Sequence, residues 1–221
     1  MMPARKKTLL ATAAVAALAV PTAAIGQVFE VGGNPTNLPA SCPADCVVLA
    51  KVTGYQTKTG TTAGPMIAAK SGRIVAWTIT LGKPNAEQLK FFQEESALGE
   101  AAGNFTVLRP KKKLRHTVVQ QGPSTTFTKY FGKTITVPLT RTISVKKGDV
   151  IGLTTKSWLP VMAVNQPNST SWRASRGKGK CDDTNGSYAQ TKTGKTVQYR
   201  CLYRGVQLLY SVTIVPNIPK P

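Results

Sequence analysis

The chain has 221 residues, with 29 Lys and Arg against nine Asp and Glu, for a formal net charge of +20. Its single histidine, His116, excludes the two-histidine helix of metalloproteases, and acids this few and scattered offer no readable carboxylate pair for glycoside hydrolysis. Such an excess of positive charge attracts polyanions in a salt-sensitive way without naming one, and it also serves to solubilise a surface.

At the N-terminus, Arg5, Lys6 and Lys7 form a basic head, Thr8 to Val20 an alanine-rich apolar run, and Ala24-Ile25-Gly26 a small-residue site. This layout predicts a secretory signal over residues 1–26, cleaved between Gly26 and Gln27. The apolar run is shorter than the roughly 20 residues that cross a bilayer. No second long apolar segment and no lipid-accepting Cys follow it, and Pro216 to Pro221 shows no sorting or anchor pattern. A secreted protein, released or loosely wall-attached, is therefore expected. Cleavage would leave 195 residues carrying +17. A single domain of that size buries about 70% of its unfolded surface and needs no metal or cofactor to hold it together.

Residues 27–46 are rich in Gly, Pro, Asn and Ser and read as an arm, leaving 47–221 as one domain. Four cysteines in an exported chain are expected to be oxidised. Of the three pairings they allow, Cys42–Cys46 with Cys181–Cys201 is the expected one, the second closing a 21-residue loop worth about 3 kcal/mol. A C-x3-C pair facing a C-x19-C pair matches no usual zinc spacing.

From Val47 onward apolar residues recur at every second position. Val48, Ala50 and Val52 share a face opposite Lys51, while Val75, Trp77, Ile79 and Leu81 share a face opposite Thr78 and Thr80. Val206, Leu208, Tyr210, Val212 and Ile214 do the same in a last strand over Val206 to Val215. This alternation predicts sheets with one buried and one wet face. Shorter candidates are Ile67 to Ala69, Phe105 to Leu108, Leu114 to Gln120, Val150 to Thr155, Leu159 to Val164, Thr170 to Ser175 and Val197 to Tyr203. Thr134 to Val145 breaks phase at Arg141 and contains Pro138, which cannot donate to a ladder, so this strand is expected at an edge, bulged or switching sheets. The turn Lys146-Lys147-Gly148-Asp149 suggests a hairpin into Val150. Asn85 and Gln88 have capping-box spacing, and Leu89 and Phe92 form an apolar stripe, predicting one short helix near 86–95 that plugs an end of the sandwich. The fold class is all-β: an antiparallel two-sheet sandwich, jelly-roll-like, with that one helix.

For chemistry, His116 follows the basic run Lys111 to Arg115 and faces the apolar side set by Leu114 and Val118, as a packed histidine does. Asp149 reads as a turn residue, and Asp182-Asp183-Thr184-Asn185-Gly186 as a disulfide-tethered turn rather than a calcium loop. The densest cluster runs from Ser171 to Lys180, where Trp172 points opposite Arg173 and the glycines beyond Arg176 form a basic loop. Arg200 and Arg204 share a phase on the neighbouring strand. Arg173, Arg176, Lys178, Lys180, Arg200 and Arg204 are the candidate ligand residues, suited to holding anionic groups through forked guanidinium contacts. Two alternatives stand beside this reading. One is a neutral carbohydrate-binding module using exposed Trp158 or Trp172, and the other a hydrolase using Asp149 or the Asp182/Asp183 pair.

The segments Thr53-Gly54-Tyr55-Gln56, Gly72 to Trp77, Tyr130-Phe131-Gly132, Ser171 to Lys178, Cys181-Asp182-Asp183 and Tyr199-Arg200-Cys201 carry a resemblance. Together they resemble a family of exported proteins from high-G+C Gram-positive bacteria, over most of the chain beyond the leader. The resemblance implies export and a shared fold, and no chemistry. The function expected is non-catalytic binding of an anionic cell-wall polymer or polysaccharide outside the cell.

Overall fold

The computed structural model describes residues 27–33 and 38–217. The expected signal over 1–26 lies outside them, as do part of the arm and the last four residues. Within the described chain the alternating segments form two main antiparallel sheets packed together, as the periodicity requires, beside one separate two-stranded pair. The smaller sheet has the order β1 (Phe29–Val31), β15 (Tyr210–Pro216), β4 (Gly72–Thr80) and β8 (Thr134–Val145). The arm is therefore more than a connector, because β1 hydrogen-bonds to β15 with Glu30 opposite Thr213.

The larger sheet follows the order β12 (Thr196–Gln198), β6 (Arg115–Gln121), β5 (Ala102–Pro110), β9 (Val150–Leu159), β2 (Leu49–Thr59), β11 (Ser171–Ala174) and β13 (Cys201–Arg204). Two short strands extend it: β3 (Thr62–Ala63) beside β2, and β7 (Thr125–Thr126) beside β5. The ends of this order are nearly adjacent in sequence. Gln198 and Cys201 are three residues apart, a reach of about 11 Å, yet they lie in strands at opposite edges. Six antiparallel steps also leave β12 and β13 running in the same direction. The sheet thus curls until its edges meet along residues 196–204, which pair with β6 through their first half and with β11 through their second. The single strand expected over Val197 to Tyr203 is in fact this seam, interrupted at Tyr199 and Arg200.

The two sheets share one core. Ile74, Trp77, Ile79, Val212 and Ile214 from the smaller sheet meet Phe105, Val107, Ile151 and Leu153 from the larger, all fully or almost fully buried. Trp77 meets Phe105 and Phe127 edge-on, at 6.0 and 5.5 Å between ring centres. Three local departures from strict alternation explain where the sequence pattern misleads. Val75 is skipped in the β4–β15 register, and this bulge brings Ile74 rather than Val75 to the core side. Strand β8 is an edge strand whose register jumps between Pro138 and Ile143, so the proline's missing donor faces no partner and the phase break at Arg141 is the bulge itself. Lys51 has a φ of 50° at a register shift in β2, which leaves Leu49 and Val52 as the buried pair.

Two connections differ from expectation. The turn at Lys146–Asp149 does not close a hairpin, because β8 and β9 lie in different sheets; it is the corner by which the chain crosses between them. The strand expected over Val206 to Val215 is two pieces. Gln207–Leu208 (β14) pairs with Met162–Ala163 (β10), and β15 begins only after Leu209. The helix begins as expected: Ala86–Lys90 (α1) carries the reciprocal Asn85–Gln88 capping box and continues into a π-helical turn over Phe91–Glu95. Its one buried side chain, Phe92, stacks on Trp158 at 4.8 Å and seats the helix against the end of the barrel. Both expected disulfides, Cys42–Cys46 and Cys181–Cys201, are formed.

Candidate functional site

The register of the curled sheet puts Thr53, Thr154 and Thr106 on its inner side, where their hydroxyls form a chain at 2.8 and 2.6 Å. The loop after β11 returns over this chain. Ser175 accepts from the Thr53 amide, and the Gln190 amide donates to the Thr53 hydroxyl at 2.9 Å. The rings of Tyr55, His116 and Tyr199 fill the adjoining interior, with centres 5.0 to 5.4 Å apart. Burial, aided by the nearby charge of Arg173 and opposed by the Leu114 carbonyl, lowers the His116 pKa to about 4. Burial likewise raises Tyr55 to about 12 and Tyr199 higher still. The cluster is therefore neutral at pH 7 and packs as apolar matter.

This has a consequence for stability. An unfolded chain binds a proton at His116 below about pH 6.5, whereas the folded chain does so only near 4. Folding stability is then complete above 6.5 and falls as pH drops towards 4, by an amount on the order of 3 kcal/mol. Urea midpoints measured from pH 7 to 4 are expected to show this loss in the wild type and to show a shallower one in His116→Phe. Parallel curves for the two proteins would remove the assignment.

The six candidate cations separate into two groups. Arg173 is half-buried and turned onto the backbone, its Nη1 donating to the carbonyls of Arg200 at 2.8 Å and Tyr199 at 3.3 Å. It holds the seam together and offers little to a ligand. Arg176, also half-buried, donates through Nη1 to the Tyr203 hydroxyl at 2.8 Å, and that hydroxyl donates onward to the Cys181 carbonyl. Lys178, Lys180, Arg200 and Arg204 are exposed. Lys180 lies 3.8 Å from Asp183, and Arg204 donates to the Asn168 carbonyl at 3.2 Å.

The seam adds cations that the alternation pattern did not assign to the site. The Tyr199 amide donates to the Leu114 carbonyl at 2.9 Å, Gln198 Nε2 donates to the Lys113 carbonyl at 2.9 Å, and Gln198 sits opposite Arg115. The tight turn Lys111 to Leu114, between β5 and β6, is therefore brought beside Arg200, with Lys195 on the next turn accepting from the Val118 amide. Lys111, Lys112, Lys113, Arg115, Lys195 and Arg200 are all exposed, and among the described residues none of them has a carboxylate within ion-pairing distance. The run of cations at 111–115 was visible in the sequence. Its neighbour was not, because 80-odd residues separate the two segments and only closure of the sheet joins them.

The residues of the two alternative readings are otherwise employed. Trp158 is fully buried and donates through Nε1 to the Gly99 carbonyl, while Trp172 is 4% exposed and stacks on Tyr203 at 4.6 Å. Neither presents a ring face to a sugar, which corrects the expectation of an exposed Trp158. Asp149 is buried and holds Arg109 through both oxygens, at 2.9 and 3.0 Å. Asp183 accepts from the Asn185 and Gly186 amides and from the Tyr188 hydroxyl, contacts that lower its pKa, the Tyr188 bond most. Asp182 is exposed. Among the described residues no group of three or more His, Cys, Asp or Glu is placed to hold a metal ion.

The chain matches no protein-family model, no curated protein and no solved structure.

Proposed function

We propose that the protein is an exported, non-catalytic binder of anionic polymer that acts through the cationic seam of its barrel. The observation that carries this reading is the meeting of the Lys111–Arg115 turn with Arg200 and Lys195, all without an acid partner among the described residues. Clustered like charges repel one another, and neutralising them with a polyanion also releases that polymer's condensed counterions. A cell-wall polymer or acidic polysaccharide supplies that chemistry. Lys178, Lys180 and Arg204 extend the surface, while Arg173 positions the strand beneath it. Export is supported by the leader pattern in the sequence, by the family resemblance and by two disulfides, which persist in oxidising compartments. Among the described residues no helix is long and apolar enough to cross a membrane.

Retention on immobilised heparin and on isolated cell wall, followed from low to high salt, tests the reading. A Lys111/Lys112/Lys113→Ser variant is expected to elute at distinctly lower salt, its slope of log affinity against log salt falling by about one per contacting lysine. A Lys70/Lys83/Lys133→Ser variant, with the same net charge and with its changes at other exposed sites, is expected to elute close to wild type. Equal losses in the two variants would reduce the effect to net charge and remove the seam as a site.

A further inference from the structure

A second concave feature lies outside the seam and has the opposite character. Where the chain enters β2, Val48 and Ala50 form the floor of a groove whose wall on one side is Phe91, Phe92 and Leu98. The same floor continues past Arg176 to Trp172 and Tyr203. The helix end encloses about 640 Å³ and the Trp172 end about 390 Å³. Phe91 is 51% exposed and Val47, on the rim, 45% exposed, so apolar surface is left open along the groove.

Arg176 sits where the two halves join, and Lys51 also lines the helix end. The Arg176 guanidinium lies between the rings of Tyr188 and Tyr203, 5.8 and 5.9 Å from their centres. Its Nε is buried with no acceptor, and among the described residues no carboxylate pairs with it. Two acids line the groove without pairing with Arg176: Glu95, at the helix end, lies 3.9 Å from Lys90, and Asp182, at the Trp172 end, is exposed, while Asp183 is occupied by Tyr188 and two amides. Apolar side chains beside a partly desolvated guanidinium, with Lys51 as a second cation on the lining, suit a ligand with one anionic head and a hydrocarbon body. They do not suit a polymer of repeating charge, which needs many cations and no oily wall.

We propose that this groove binds a long-chain carboxylic acid, with the carboxylate on Arg176 and the alkyl chain laid along Val48, Ala50 and Phe91. The site is independent of the seam and of the polymer reading. Dodecanoate, decanoate and dodecanol, each titrated below its micellar concentration, provide the probes, and tryptophan fluorescence the readout, because Trp172 lines one half and Trp158 stacks on Phe92 in the other. Dodecanoate is expected to saturate the protein and to bind at least ten-fold tighter than dodecanol. Decanoate, two methylenes shorter, is expected to be weaker by about fifteen-fold, since each buried methylene tightens binding by about four-fold. Arg176→Gln is expected to abolish the preference for acid over alcohol. Phe91→Ser, a change at an exposed ring, is expected to weaken both ligands while leaving heparin elution unchanged. Absence of saturable binding in the wild type, equal affinity for acid and alcohol, or a preference that survives Arg176→Gln would each overturn the proposal without touching the seam.

Discussion

Arg109→Leu is expected to lower the unfolding free energy by about 3 kcal/mol, at the low end of what the loss of one partner from a buried ion pair costs. Asp149 keeps only 3% of its side chain exposed, whereas Arg109 keeps 38%, which is why the low end applies. The carboxylate occupies the corner where the chain leaves the small sheet for the barrel. Its Oδ2 also accepts from the Lys146 amide at 2.9 Å, and its backbone carbonyl accepts from the Ala68 amide at 2.9 Å. Removing the guanidinium leaves a negative charge in the corner with one amide to stabilise it. The double variant Arg109→Leu/Asp149→Leu is expected to recover part of the loss, because the stranded charge goes with its partner. Urea denaturation of the wild type, both single variants and the double variant closes the cycle. A single Arg109→Leu variant within 0.5 kcal/mol of wild type, a margin typical of neutral surface changes, would show that the corner is held by its backbone alone.

Trp158→Ala is expected to cost about 4 kcal/mol, within the usual range for deleting a large buried aromatic. The ring is wholly enclosed, stacked on Phe92 at an interplanar angle of 28° and tilted against Phe131 at 5.5 Å. Phe92 is the only buried side chain of the helix and its π-helical continuation, and the indole is the ring it stacks on. Loss of the indole should therefore loosen α1 as well as open a void, and hydrogen exchange at the amides of 89–95 should rise disproportionately. Trp158→Phe keeps a stacking partner and gives up the bond to the Gly99 carbonyl, so its cost is expected to be about 1 kcal/mol. Protection of 89–95 that is unchanged in Trp158→Ala would show that the helix is anchored elsewhere.

The strands of this protein are legible because apolar residues such as Ile79, between Thr78 and Thr80, or Val212, between Ser211 and Thr213, alternate with hydroxyl-bearing ones, and a period of two follows directly from the pleat. Asn85 and Gln88 announce the helix start by chemistry that acts over three residues. Pro138 announces an edge because a missing donor has the same meaning in any sheet. Legibility ends where a residue's environment is supplied from far along the chain. Trp158 stands beside Leu159-Pro160 and looks like a strand end open to solvent, yet Phe92 and Phe131 cover it from 66 and 27 residues away. The turn at Lys146–Asp149 has hairpin composition, but turn composition does not say whether the next strand joins the same sheet. For the candidate site, local phase set Trp172 opposite Arg173, and the count and spacing of the cysteines gave the Cys181–Cys201 bridge beside Arg200. Neither could show that Arg173 would bind backbone carbonyls, or that the lysine turn would come to lie beside the arginines.

The shared strand also sets an order on assembly. Thr196 to Gln198 completes one side of the barrel by joining Arg115 to Thr117, and Cys201 to Arg204 completes the other by joining Ser171 to Ala174. A chain interrupted shortly before Thr196 would possess every other strand of the curved sheet and still present two raw edges, each with unsatisfied amides and carbonyls ready to recruit a neighbouring molecule. Premature stops in the polar loop ahead of Thr196, which remove β14 and β15 as well, should therefore yield aggregates rather than a looser monomer.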